Sequence, residues 1–230
     1  MIKKQGERQM FQGILLDLDG TLADSLESLA ISCNKALEKC NLPAQPVEAY
    51  KQFAGDGPPT LARKALAAAG DIEGKHYEVV LEGYQEALKS YSNYKMKTFD
   101  GMKEALQGIK EDGGKLIVIT NKPQNRAVEV VEELFGKDYF DLIVGFSERF
   151  PRKPDSTSTK YAMEYFQLKP EECIYVGDTN VDMKTGKGAG AYTVGVLWGF
   201  RDRQELEENG ADLIISKPLE LVDVWKQGRE

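Results

Sequence analysis

Histidine, cysteine, long apolar runs and surplus positive charge are all scarce in this chain. The only histidine is His76. It falls near the start of a helical stretch and reads as an exposed residue, not a catalytic one. The three cysteines, Cys33, Cys40 and Cys173, have no metal-binding spacing, and their odd number argues against a disulfide framework. They read as small core hydrophobes. No apolar stretch approaches the roughly 18 residues needed to span a bilayer, so no membrane partner is expected. The opening MIKKQGERQM is charged and has no apolar h-region after it, so it does not read as a signal peptide and a cytoplasmic location is expected. With 30 basic and 37 acidic residues the net charge is −7, which argues against a nucleic-acid groove or an anionic membrane surface as the partner. A local cationic pocket would have to come from a few placed Lys or Arg. There is no internal repeat or low-complexity segment.

What remains is an ordinary globular composition, 41% apolar and 29% charged over 230 residues, enough for one domain with an insertion or for two. The chain is organised around Phe11 to Ser25, FQGILLDLDGTLADS. Its apolar run ends abruptly in Asp17, Asp19 and Gly20, as where a buried parallel strand reaches the edge of its sheet. Two residues apart on an extended chain, Asp17 and Asp19 would point the same way, with Gly20 letting the backbone turn behind them. Such a pair either retains a proton or holds a hard cation, and all-oxygen ligands suit Mg²⁺.

Apolar positions then recur at helical spacing. Four consecutive helices are expected between residues 25 and 94, carried by Leu26–Leu29–Cys33–Leu37, by residues 47–53, by Leu61–Ala65–Ala69, and by Tyr77–Leu81–Tyr84–Leu88. From Thr98 onward, helices alternate with strands expected at 115–120, 140–146, 173–178, 193–198 and 212–216. This alternation predicts a parallel sheet with right-handed crossovers. The expected organisation is therefore an α/β core of residues 1–24 and 95–230, interrupted by a small all-helical cap at 25–94. Gly186 and Gly188 predict a short or frayed helix after Asp182. The run Gly186-x-Gly188-x-Gly190 does not directly follow a strand and open a helix, so it is not a dinucleotide fingerprint.

Polar residues close three more strands: Thr120-Asn121-Lys122, Lys153 in the loop after the next, and Gly177-Asp178-Thr179 with Asp182 beyond. Ligands bind outside the carboxyl ends of the strands of an open parallel sheet, so these groups should converge. As a set they suit phosphoryl transfer. Asp17 can attack, Thr120 can bond phosphoryl oxygens, Lys153 can supply charge, Asp178 can complete a Mg²⁺ site, and Asp19 can serve as acid and then base. Singly each has a duller reading: Thr120 as a strand-end cap, Lys153 as a solvated charge, Asp178 as a helix N-cap.

The order Asp-x-Asp, strand-Thr, Lys-Pro, Gly-Asp-Thr-x-x-Asp resembles the four motifs of the haloacid dehalogenase-like hydrolases over nearly the whole chain, most of all their phosphoglycolate phosphatase-like group. The resemblance implies a Rossmann-like core with an inserted helical cap. It implies a nucleophile at Asp17, an acid/base at Asp19, a phosphate ligand at Thr120 with Gly20 and Asn121 nearby, a charge-stabilising Lys153, and metal ligation by Asp17, Asp19, Asp178 and Asp182. The expected partner is a small phosphorylated metabolite, handled by a monomer or homodimer, with Gly55-Asp56-Gly57 and Arg63 of the cap reading the leaving group. Arg63 reads equally well as a solvated helix residue. Two alternatives stand beside the phosphatase. One is a phosphomutase of the same family; the other is a receiver-like phospho-acceptor module, disfavoured by the helical insertion.

Overall fold

The computed structural model describes residues 10–91 and 94–228, so the reading of the extreme N-terminus lies outside the described residues. Strand β1 (Gly13–Leu16) is followed by β2 (Ala23–Asp24), then helices α1 (Leu26–Lys39), α2 (Tyr50–Phe53), α3 (Pro58–Ala68) and α4 (Tyr77–Tyr91), then β3 (Lys97–Thr98). The alternating part runs α5 (Met102–Glu111), β4 (Lys115–Pro123), α6 (Gln124–Phe135), β5 (Leu142–Phe146), α7 (Thr157–Tyr165), β6 (Cys173–Gly177), α8 (Asn180–Ala189), β7 (Tyr192–Val196), α9 (Arg203–Glu208), β8 (Leu213–Ile215) and α10 (Glu220–Gln227).

Six strands form one parallel sheet in the order β5-β4-β1-β6-β7-β8, giving the α/β, Rossmann-like architecture expected. Side-chain alternation builds its layers. Ile14, Leu16, Leu116, Val118, Ile174 and Val176 face α5, α6 and α10, while Leu15, Ile117, Ile119, Cys173 and Tyr175 face α7 and α8. Both faces are covered, which is why the strands read as unbroken apolar runs. The chain leaves β1 towards β4 and β5 and returns to β6 on β1's other side, so the switch of direction falls at the carboxyl end of β1, where a ligand crevice is expected.

Helices α1 to α4 pack around a separate cluster that includes Cys33, Leu37, Tyr50, Leu61, Leu66 and Tyr84. Entry to and exit from this helical unit are tied by β2 and β3, which pair antiparallel with Ala23 opposite Thr98 and Asp24 opposite Lys97. These two-residue strands were not expected, being too short to carry a periodicity. The helix after Asp182 is not frayed. α8 runs ten residues, opening on a capping box between Thr179 and Asp182. Gly186 is there for space, because a Cβ on it would lie 2.3 Å from the Thr193 side chain.

Candidate active site

Strand β1 stops at Leu16, and Asp17 to Gly20 form a turn in which Leu22 and Ala23 donate back to the Leu18 carbonyl. Two-residue alternation therefore does not govern Asp17 and Asp19, and their carboxylates part. Asp17, only 6% exposed, faces β6 and Lys153. Asp19 turns to Lys122, whose ammonium donates to both its oxygens at 2.9 and 2.7 Å. Gly20 has φ +89°, and a Cβ there would lie 2.3 Å from an Asp178 carboxylate oxygen; the turn closes so tightly over Asp178 that only glycine fits.

Lys153 is the hub of the site. Its buried Nζ donates to Asp17 Oδ1 at 2.7 Å, to Asp182 Oδ1 at 2.7 Å and to the Ile119 carbonyl at 3.2 Å, so its three protons have three acceptors. Burial opposes the charged ammonium, yet Asp17 and Asp182 outweigh it and hold Lys153 well above the usual lysine range. Asp182 is secured from its other side by the Thr179 hydroxyl at 2.6 Å and the Thr179 N–H at 3.1 Å. Asp178 accepts the Thr21 hydroxyl at 2.9 Å and the Phe200 N–H at 2.8 Å.

Asp17, Asp178 and Asp182 are all buried, with one ligand oxygen from each lying within 4.8 Å of the others. Burial, then the Asp182 charge, pushes Asp17 up to about 7. Burial, then Asp182 and Asp17, raises Asp178 well above the carboxylate range. Three carboxylates against one ammonium leave two negative charges uncompensated, and every donor is oxygen; the set fits a hard divalent cation. Asp182 has both oxygens already bonded, so it supports Lys153 as much as any ion. Asp19, expected among the metal ligands through its carboxylate, is not in this group because Lys122 holds that carboxylate away.

Thr120, Asn121 and Lys122 stand where β4 slips against β5: Ile119 pairs with Val144 but Pro123 pairs with Phe146, leaving three residues opposite Gly145. The strand thus runs to Pro123 and does not end at Thr120, and the bulge turns these side chains out of the pleat. The Thr120 hydroxyl accepts the Lys122 N–H at 3.1 Å and keeps its own proton for a ligand. Asn121, expected to bind substrate, has its side chain committed elsewhere. Its amide oxygen accepts the Lys153 N–H at 2.7 Å and its nitrogen donates to the carbonyls of Gly55 at 3.0 Å and Lys153 at 3.3 Å.

A cavity of about 250 Å³ opens above these groups. Asp17, Asp19, Thr120, Asn121, Lys122 and Arg126 line it from the core, and Leu29, Gly55, Leu61, Tyr84, Leu88 and Lys89 line it from the helical unit. Gly57 lines it as well; Arg63 does not. Arg63 is exposed, with its guanidinium 4.4 Å above the Tyr77 ring, because the helical face that carries it turns away from Leu61, Ala62 and Ala65 of the cap core. Lys122 and Arg126 were missed as lining residues. Lys122 had a signal, its adjacency to the strand-end Thr120-Asn121; Arg126 had none beyond its charge.

Comparison with known proteins agrees with this geometry. The family description "Haloacid dehalogenase-like hydrolase" matches residues 14–196. A phosphoglycolate phosphatase of Chromobacterium violaceum is 30% identical over 223 residues, covering 94% of this chain and 97% of that protein. Phosphoglycolate phosphatase 1 of Pseudomonas aeruginosa is 27% identical, covering 94% and 80%. Among solved structures, one described as a "predicted phosphoglycolate phosphatase" from Haemophilus somnus superposes with a TM-score of 0.86 at 25% identity, covering 93% of this chain and 97% of that one. The match begins inside β1 and ends with β7, so it takes in Asp17, Thr120, Lys153, Asp178 and five of the six strands of the sheet: the chain belongs to the haloacid dehalogenase-like hydrolases.

Proposed function

We propose that this hydrolase is a Mg²⁺-dependent phosphatase that cleaves a small phosphate monoester, phosphoglycolate-like in size and charge, through a phosphoaspartate on Asp17. The observation that carries the reading is Lys153, buried and bonded at 2.7 Å to both Asp17 and Asp182 at the carboxyl edge of the sheet. A buried ammonium costs several kcal/mol to desolvate and is retained where charge must be met. Here it stands against the Asp17 carboxylate, which lines the cavity.

Asp17 is the nucleophile. Its bond to Lys153 fixes the carboxylate so that an oxygen faces an incoming phosphorus, and the ammonium balances charge as the phosphoryl group arrives. Thr120 directs its free hydroxyl proton to a phosphoryl oxygen, aided by the backbone N–H groups of Leu18 and Asp19. Asp19, oriented by Lys122 at the cavity wall, gives a proton to the leaving oxygen and then takes one from the water that opens the phosphoaspartate. Asp17 and Asp178, with Asp182 behind them, would hold the Mg²⁺, which when bound supplies positive charge to the phosphoryl oxygens. Residues 25–94 act as the cap and exclude bulk water and bulky esters. The phosphoglycolate phosphatases to which the chain is similar support the choice of a small acidic leaving group, and the size of the cavity agrees with it.

The test is hydrolysis of an aryl phosphate and of a panel of phosphorylated acids and sugars, with and without Mg²⁺, alongside intact-mass measurement after acid quench. Metal-dependent turnover with a transient phosphoryl adduct on Asp17 is expected. Turnover undiminished by excess chelator, or an adduct elsewhere, overturns the reading.

A further inference from the structure

We propose that Arg201, which reaches neither the cavity nor any carboxylate of the site, is a positioning residue that holds the cap loop Ala54–Gly57 over the phosphate-binding floor. The loop that contributes it is tied once to the core and twice to the cap. The Phe200 N–H donates to Asp178 at 2.8 Å, the Phe200 ring is buried in the cap's own hydrophobic cluster, and Arg201 crosses to the cap backbone. Its guanidinium donates to the carbonyls of Lys51 and, at 2.9 Å, Ala54, while its Nε pairs with Glu205 at 3.0 Å.

The cap segment held in this way cannot hold itself. α2 has four residues, far below the length at which a helix is stable alone, and its last carbonyls have no partner within it. Beyond it Gly55 has φ +115° and Gly57 φ +88°, and because glycine adopts either sign of φ about equally, these residues by themselves do little to favour the observed shape. A planar guanidinium with forked donors can take two carbonyls at once, which a lysine cannot do in the same geometry. Arg201 is 7% exposed; a cation buried this far is stable only if paired, and Glu205 supplies the charge. Where the loop ends up is functional. Ala54, Gly55, Gly57 and Pro58 all line the cavity, and Gly55 lies close enough to Thr179 that a Cβ on it would meet the Thr179 methyl at 3.3 Å. Substrate capture therefore depends on a side chain that never touches substrate.

The test compares wild type with Arg201→Ala, Arg201→Lys and, as a probe of the charge partner alone, Glu205→Gln. Amide hydrogen exchange needs no substrate, so it stands apart from the phosphatase reading; the kinetic arm rests on that reading. Expected for Arg201→Ala is at least tenfold faster exchange confined to residues 50–58, with β1 and β6 unchanged. Its KM for a phosphorylated acid should rise about tenfold, with kcat altered less than threefold. Arg201→Lys should restore part of the protection and part of the KM. Unchanged exchange over 50–58 overturns the proposal. So does exchange that rises throughout the chain together with a loss confined to kcat, since that pattern marks Arg201 as a residue of general stability. If the loop loosens as expected but no variant, wild type included, hydrolyses any phosphate, the positioning role stands and the phosphatase reading falls.

Discussion

The two walls of the cavity are built on opposite rules. On the core side, Asp17 and Asp19 line the cavity with Asp178, Asp182 and Lys153 behind them; each is bonded to named neighbours at 2.6 to 3.2 Å, and they come from the loops after strand ends and from the first turn of α8. On the cap wall the lining is mostly Leu29, Leu61, Leu88, Tyr84 and loop glycines, set by the packing of short helices on one another. The first arrangement is rigid and chemically specific, because moving any member leaves a buried charge unpaired. The second discriminates by shape, where a missing methylene changes binding by only ~1–3 kcal/mol. On the proposed reading, chemistry and selectivity are carried by parts of the chain that answer to different physical constraints, and substitutions on the two walls should differ in kind as well as in size.

The largest effects belong to the core wall. Asp17→Asn should abolish the phosphoryl adduct and lower kcat by ~10⁴–10⁶, the scale of losing a nucleophile. Asp19→Asn should lower it by ~10²–10⁴ while the adduct accumulates, because breakdown by water needs the base more than transfer from a good leaving group needs the acid. Quenched intact-mass measurement separates the two. If both variants accumulate adduct, or neither does, the division of roles between Asp17 and Asp19 is wrong.

The same contrast governs stability against pH. Asp17 is held near 7 against 3.8 when free, so between those values the unfolded chain has released a proton that the folded chain retains. Stability of the metal-free protein therefore falls as pH rises from about 4 to 7, by at most about 4 kcal/mol from this group, and levels off above. Asp178, raised in the same direction, adds to the fall as pH rises. The carboxylates held below their usual values, such as Asp71 and Asp212, add their stability at lower pH and do not offset the loss in this window. Thermal melts in chelator at pH 5 and 7.5 should show a lower Tm at pH 7.5, and Asp17→Asn should recover much of the difference. Added Mg²⁺ should raise Tm more at pH 7.5 than at pH 5. A metal-free Tm that climbs across this interval would mean that the acidic cluster is not strained.

How much was legible beforehand follows the same division. The six strands of the sheet and the residues at their ends were readable because a strand buried on both faces is an apolar run, and the polar residue that ends it stands out. Side-chain direction just past a strand end was not. Asp17 and Asp19 part because the strand stops one residue early, and Asn121 bonds Lys153 and Gly55 because β4 bulges, and neither event leaves a mark in the pattern of apolar residues. The shortest elements were invisible for a related reason: β2 and β3 have two residues each, too few to carry a periodicity, whereas the helical stretch expected at 47–53 is found as the short helix α2 at its end. The cap wall was hardest of all, since helical periodicity says which face of a helix is buried without saying against what.

Arg63 shows that last difficulty and gives the smallest expected effect. As the charged residue next to Leu61 and Ala62, it could be read as pointing into the site with them, where a guanidinium would suit a carboxylate leaving group. On a helix, however, neighbours in sequence lie about 100° apart, and the buried set Leu61, Ala62, Ala65 and Leu66 defines a face that excludes position 63. Its guanidinium instead lies over the exposed side of Tyr77, a contact worth ~0.5–1 kcal/mol to the folded cap. Arg63→Ala should therefore lower Tm by no more than about 3 °C and leave KM, kcat and the preference for phosphorylated acids over phosphorylated sugars within twofold of wild type. The same panel run on Leu88→Ala, which trims the cavity lining, should raise KM several-fold for the preferred substrate. Should Arg63→Ala erase the preference for acids while Leu88→Ala leaves it intact, α3 must turn its outer face to the substrate during turnover, and the cap wall would then select by charge where its resting arrangement selects by shape.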